Sequence, residues 1–240
     1  MGITNQQSGT RVDEVADGIY RISTPVTNVP GGFSFNQYLI TGEQPLLHHT
    51  GPRRMFPLVS EAMASVISVE KLRFVSFSHF ESDECGSIND WLAAAPRASP
   101  LCGPINAMIN GDMFDRPAEV VADGTVVELG KHKVRWFDTP HLPHAWECGH
   151  LFEESTRTLL CGDLFTQGGH THPPVTSDDI LGPSEGFRKM MDYFSHAKNA
   201  RAMLARLAAT KPTTLACMHG SAWSGDGAKL LTALADSLDS

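Results

Sequence analysis

Apolar residues recur along this chain in short alternating runs broken by Gly, Pro and Asn. GIYRIS over 18–23, FNQYLI over 35–40 and the stretch 45–49 carry the period of two of a half-buried strand, and read as a meander. Between Arg53 and Ser68 the period changes. Met55, Leu58, Val59, Ala62, Met63 and Val66 fall three and four apart, which predicts a helix. Residues 72–77 are β-branched and aromatic, a buried strand. Residues 86–95 suit a helix ended by Pro96, and 100–102 a short strand, whereas 105–114 has no clear period. The second half repeats the theme. Residues 120–129 and 133–138 read as strands with a turn at Asp123-Gly124, and 150–153 with 158–161 as a hairpin. A Pro/Gly/Asp-rich loop over 168–186 precedes a long amphipathic helix over 186–209, a strand at 214–218 and a helix at 226–238. Residues 1–10 are polar and are expected to be disordered. Two β-rich layers with helices outside fit this order better than a plain βαβ array, and the absence of a linker or repeat predicts one domain over 1–240.

Composition narrows the function classes. The 240 residues are 41% hydrophobic, enough for a full core. A net charge of −8 argues against nucleic acid, whose phosphates need a basic surface. No apolar run reaches spanning length and the opening MGITNQQSGT lacks a signal pattern, so neither a membrane nor export is expected and the location is read as cytoplasmic. The five cysteines are odd in number without CxxC spacing, a reduced pattern in which they pack as small apolar groups.

The chemistry gathers at FSHFESDECGS, residues 77–87. It leaves a predicted buried strand and sets out His79, Glu81, Asp83 and Glu84 in quick succession. While the chain stays extended, residues two apart point the same way, so an imidazole and carboxylates can be aimed into one volume. Carboxylates brought together repel and lose hydration unless a cation joins them. Three other predicted strands end the same way: His141 and His144 follow 134–137, Asp163 follows 159–161, and His219 follows 215–218. Four strand ends delivering His, Asp or Glu describe a shared site at one edge of a sandwich. Mixed imidazole and carboxylate donors suit iron or manganese better than zinc.

On these residues the chain resembles the metallo-β-lactamase superfamily, and within it the diiron branch of flavodiiron proteins and oxygen-binding diiron proteins. The superfamily motif H-x-H-x-D-H stands here as His79-Phe80-Glu81-Ser82-Asp83-Glu84, with Glu81 the mark of the diiron branch. The resemblance covers 36 to about 220 and implies an α/β fold, a metallo-β-lactamase-like αβ/βα four-layer sandwich. It implies His79, Glu81 and His144 on one iron, Asp83 and His219 on the other, and Asp163 between them, the irons joined by an oxo or hydroxo bridge. The spacing of nineteen residues from His144 to Asp163 favours His144 over His141. Glu84 replaces a histidine, and either adds a carboxylate to the second iron or turns away. His49 stands where the superfamily has a supporting Asp, so it either supports a ligand or is a satisfied core group. His141, Trp146, His170 and His172 are candidates for the pocket wall, with packing or an exposed loop as the plainer reading. His48 is read as structural, His150 as a strand residue, and His132 and His196 as surface residues.

The function implied is binding or reduction of O2, or of NO. Neither a flavodoxin domain nor a flavin is expected in this chain, so electrons would come from a separate partner, or the centre would act as an oxygen sensor for a signalling protein. The alternative is a dinuclear zinc or manganese hydrolase of the same fold acting on an ester, thioester or phosphoester. A homodimer is expected on general grounds.

Overall fold

A computed structural model of the chain describes residues 5–238. Its strands are β1 (Arg11–Ala16), β2 (Ile19–Val26), β3 (Phe33–Ile40), β4 (Leu46–His48), β5 (Phe74–Ser76), β6 (Ser99–Cys102), β7 (Glu119–Val120), β8 (Val126–Glu128), β9 (Lys133–Asp138), β10 (Gly149–Glu153), β11 (Thr158–Gly162), β12 (Val175–Thr176), β13 (Thr214–Cys217) and β14 (Ala222–Ser224). The helices are α1 (Asn5–Ser8), α2 (Phe56–Ala64), α3 (Ser82–Cys85), α4 (Ile88–Ala94), α5 (Pro104–Asn110), α6 (Leu181–Met191), α7 (Ala200–Ala209) and α8 (Gly227–Leu238). The first seven strands form one sheet in sequence order, antiparallel through β4 and parallel beyond it. The other seven form a second mixed sheet in the order β12-β14-β13-β11-β10-β9-β8.

Strand alternation sorts the core into three layers of apolar contact. Tyr38, Ile40, Leu46, Phe74, Leu101, Trp136, Leu151, Leu160 and Ala216 pack between the sheets. Their neighbours one residue along face outward, Leu39, Leu47, Val75 and Cys102 onto α2 and α4, and Phe137, Phe152, Leu159 and Leu215 onto α7 and α8. The period of two therefore buries both faces of each sheet, giving an α/β four-layer sandwich. All five cysteines are buried and unpaired, and burial pushes the Cys85 and Cys102 thiols up to about 12, as apolar packing predicts. Among the described residues no helix is long and apolar enough to cross a membrane.

Polar groups clamp the open end of the sandwich. Asn36 Nδ2 donates to the carbonyls of Cys217 (2.9 Å) and Gly220 (2.8 Å), Tyr38 Oη to Cys217 (2.8 Å), and Arg21 Nη2 to Gly220 (2.7 Å). All three donors come from the first sheet, and both carbonyls lie at or just past the end of β13.

Several elements depart from the pattern-based expectation. The helix expected over 53–68 starts as a 3-10 turn and ends at Ala64. The long helix expected over 186–209 is two helices. Its first part begins earlier, at Leu181, where the Asp179 carboxylate accepts the Leu181 and Gly182 amides. It stops at Asp192, whose φ of 48° no helix continues, and Ser195 N donates instead to Pro143 O. The strand expected over 120–129 is split between the two sheets by the turn at Asp123-Gly124. Of the tail expected to be disordered, residues 1–4 lie outside the described residues. Residues 5–8 form a helical turn held by Asn5 Nδ2 on Leu58 O, and Arg11–Ala16 pairs with β2 as a strand. His132, expected at the surface, is buried against Glu153.

Candidate metal centre

Each strand that ends at this edge turns a donor inward. After β5, Phe77 stays in the core and His79 follows, fully buried. Its Nδ1 lies 3.0 Å from Ser78 Oγ, which lies 3.1 Å from His49 Nε2. With the ring donating to the hydroxyl and the hydroxyl to His49, His79 Nε2 keeps its lone pair for the centre. Glu81 is extended (φ −130°, ψ 164°) and half exposed, after which the chain turns helical at Ser82. Asp83 and Glu84 thus sit in a helical turn, and the expected i, i+2, i+4 alternation stops at Glu81.

The loop between β9 and β10 brings His144 to the same place, its Nε2 2.8 Å from His79 Nε2 and 3.2 Å from Glu81 Oε1. Asp163 follows β11 through Gly162, where a register shift against β13 occurs. Gly162 has φ 49°, and a Cβ there would lie 2.8 Å from Ser78 Oγ, so this turn admits only glycine. Asp163 Oδ2 stands 3.7 Å and 3.6 Å from Nε2 of His79 and His144, while its Oδ1 stands 3.2 Å from His219 Nε2. His219 follows β13. Its Nδ1 donates to Ser34 O at 2.8 Å, which turns Nε2 toward Asp163 and toward Asp83 Oδ2 at 3.5 Å. The Phe33 ring covers His219 with centroids 4.2 Å apart. Glu84 is wholly buried, 3.8 Å from His79 Nε2, and neither of its oxygens has a hydrogen-bond partner.

Among the described residues three donor groups are close enough to share a cation: His79, His144 and Asp163; His79, Glu81 and Glu84; and Asp83, Glu84 and His219. The charges respond to one another. Burial works to raise Asp163, but the close approach and charge of His219, with His79 and His144, hold it at about 2. Burial works to lower His219, and Asp163 and Asp83 outweigh it, taking the imidazole to about 10. Glu84 goes the other way. Burial, then Asp163 and Asp83, push it well above the carboxylate range. A buried carboxylate without any donor beside other carboxylates calls for a cation, and the mixed imidazole and oxygen donor set fits a pair of iron ions.

The remaining candidates are placed as follows. His49 supports Ser78 as described. Trp146 is 51% exposed beside His144, which leaves it little part in walling the centre. His141 is also exposed, its left-handed backbone (φ 64°) turning it into a depression with His196. His170 and His172 line another depression with Arg11, Arg21 and Ser23, and belong to none of the three donor groups. A cavity of about 630 Å3, lined by Phe80, Cys85, Asn89 and Met113 among others, opens on the exposed side of Glu81.

Sequence reasoning missed Ser78, Ser34 and Tyr193. Ser78 carried a signal, a hydroxyl directly before His79. Ser34 acts through its carbonyl, and its Oγ accepts Gly220 N, neither of which a side-chain pattern reveals. Tyr193 donates to Asp163 O at 3.0 Å and sets its ring edge-on to His144; it lies in the break of the helix expected to be continuous.

The sequence profile described as ODP family beta lactamase matches residues 33–220. A putative diflavin flavoprotein A 2 of Nostoc sp. is 29% identical over 72% of this chain, and a rubredoxin-oxygen oxidoreductase of Megalodesulfovibrio gigas 25% identical over 58%. The matched part is 30% and 35% of those two proteins, so the chain spans about a third of the relatives' length. The flavodiiron protein from Giardia intestinalis superposes with TM-score 0.83 at 18% identity, covering 95% of this chain and 59% of that one. A fragment of putative diflavin flavoprotein A 5 from Nostoc sp. superposes with TM-score 0.82 at 15% identity, covering 96% and 95%.

Proposed function

Starting from a chain that belongs to the family described as ODP family beta lactamase, we propose that it is a non-haem diiron protein that reduces O2 or NO with electrons from a separate donor. The observation that carries the reading is the donor set. Carboxylates and imidazoles from both sheets converge within a few ångströms, with Glu81 where the wider superfamily has a second histidine. In this reading His79, Glu81 and His144 hold one iron, Asp83 and His219 the other, and Asp163 lies between them.

When bound, the two irons supply the site for O2 or NO and the electrons passed to it. The protein's part is to orient and to enclose. Ser78 and the Ser34 carbonyl fix the tautomers of His79 and His219, so that each presents a lone pair without rearrangement. Tyr193 anchors the backbone of Asp163 and, with Phe33 and Phe187, makes an aromatic wall that keeps bulk water from the buried donors. Glu81 is the donor most open to solvent, so a donor molecule would approach from its side.

The test is elemental analysis of protein purified without added metal, with a visible spectrum before and after O2. Two irons per chain and a new absorption band on oxygenation are expected. Two zincs and no response to O2 would replace this reading with the hydrolase. Under excess reductant, O2 consumption limited to one equivalent would replace reduction with sensing.

A further inference from the structure

We propose that Glu84 is a second shared carboxylate of the dinuclear centre, a donor to both metal positions alongside Asp163. This rests on the diiron reading above and deepens it.

The local backbone aims the side chain. An extended chain through residue 84 would point Glu84 away from His79, Glu81 and Asp83. Instead the helical turn opens at Ser82, and residues three apart in such a turn share a face, so Glu84 comes round to the side of Glu81. The turn is pinned. Thr50 N donates to Glu84 O at 2.7 Å, and Gly86 packs so closely that a Cβ would lie 2.2 Å from Ser82 O and 3.3 Å from Arg53 N.

Position then sets the role. Glu84 is the one residue found both in the donor group of His79 and Glu81 and in that of Asp83 and His219. Those two groups supply the separate irons, so a carboxylate within reach of both is placed to give one oxygen to each. Both oxygens are buried, and no protein group donates to either. A lone acid among acids, sealed from water and left without a donor, is costly unless a cation takes it.

The charge count gives the chemical consequence. Glu81, Asp83 and Asp163 leave two divalent ions with one positive charge in excess. Glu84 cancels it, so the centre is neutral on protein ligands alone. A histidine here would leave the excess for an outside anion to fill, and would offer a single nitrogen, able to serve one metal only.

Cobalt(II) is the probe, because its visible absorption strengthens as coordination number falls and needs no turnover. The native chain should take up two equivalents. Glu84→Gln, which keeps the shape, should bind both at least about tenfold more weakly, with a stronger band. Glu84→His should recover one equivalent and not the other. Unchanged affinity and spectrum in Glu84→Gln would overturn the assignment, and weakening of a single equivalent would overturn the sharing. Failure of the native chain to bind two equivalents would instead remove the dinuclear reading, whatever the variants do. Circular dichroism of the metal-free variants checks folding. Should Glu84→Gln not fold, Glu84→Asp carries the test, since a side chain one methylene shorter cannot reach both positions and must weaken at least one equivalent; full retention of both would overturn the proposal.

Discussion

Asp163 and Glu84 are two buried carboxylates of one centre, and their environments push them in opposite directions. Asp163, at the end of β11, faces three imidazoles and is held at about 2 against its burial; Glu84, in the first turn of α3, is pushed well up by burial and then by other carboxylates. Their exposures, 6% and 0%, hardly differ. Burial pushes both acids up, and the partners decide whether that push prevails, as at Glu84, or is overcome, as at Asp163. The second sheet thus brings a carboxylate close to three imidazoles, whereas the first brings one with a single imidazole, His79, at 3.8 Å and other carboxylates beside it.

The largest test of that contrast is Asp163→Asn. Its two oxygens face different imidazoles, so metal uptake should weaken at both positions by at least about a hundredfold, read by elemental analysis after dialysis. In the metal-free variant, the His219 imidazole should titrate well below about 10, which proton NMR would show. An unmoved His219 would break the account of Asp163 as its partner.

Next comes the pH dependence of metal-free stability, where the two acids should give opposite signs. Asp163 is depressed from 3.8 to about 2. Its contribution is present above the unfolded value and lost as pH falls through about 2, and amounts to roughly 2–3 kcal/mol at about 1.4 kcal/mol per unit. The raised His219 reports the same ion pair from the other end, full below 6.5 and lost as pH rises through about 10, so it is not counted again. Glu84 is raised, so the folded state holds its proton and stability drains away as pH rises above 4.5. Metal-free Asp163→Asn should therefore be less stable than the native chain near neutrality, and metal-free Glu84→Gln more stable. Chemical denaturation at a series of pH values reads both. A destabilised Glu84→Gln would sink the contrast.

The smallest effect is expected from Ser78→Ala. It frees the His79 ring and leaves His49 Nε2 without its partner, while the carboxylates stay in place. Metal affinity should fall about tenfold with the number of equivalents unchanged. A drop as large as that of Asp163→Asn would mean that Ser78 holds more than one ring.

The four strand ends were legible in the sequence because each apolar run stops at a donor: His79, His144, Asp163 and His219 are all found beside the others. The strand read at 35–40 is expected to be half-buried, and the structure instead buries it on both sides, Leu39 on one face and Tyr38 and Ile40 on the other. What the pattern could not show was where the backbone changes conformation among polar residues. Extended spacing describes His79 and Glu81 but not Asp83 and Glu84, because the turn at Ser82 is set by packing against Thr50 and Arg53, far away in sequence. The same holds for Asp192. Apolar periodicity runs through it, yet the tie from Ser195 to Pro143 decides the break, and Tyr193 reaches Asp163 only because the break is there. His141, His170 and His172 had the right chemistry in the right loops, and backbone direction took them elsewhere.

The clamp of Asn36, Tyr38 and Arg21 onto the end of β13 has a consequence for the order in which the molecule is assembled. His79, Glu81, Asp83 and Glu84 belong to the first half of the chain and His144, Asp163 and His219 to the second, so one donor group is complete in the first half and the other two need both halves. A chain emerging from the ribosome therefore carries most of its acids before the dinuclear centre can be completed. His219 comes last, and it faces the other donors where β13 lies between β11 and β14 with the carbonyl at its end held by the opposite sheet. A complete dinuclear set therefore exists only in a chain whose two sheets are already joined.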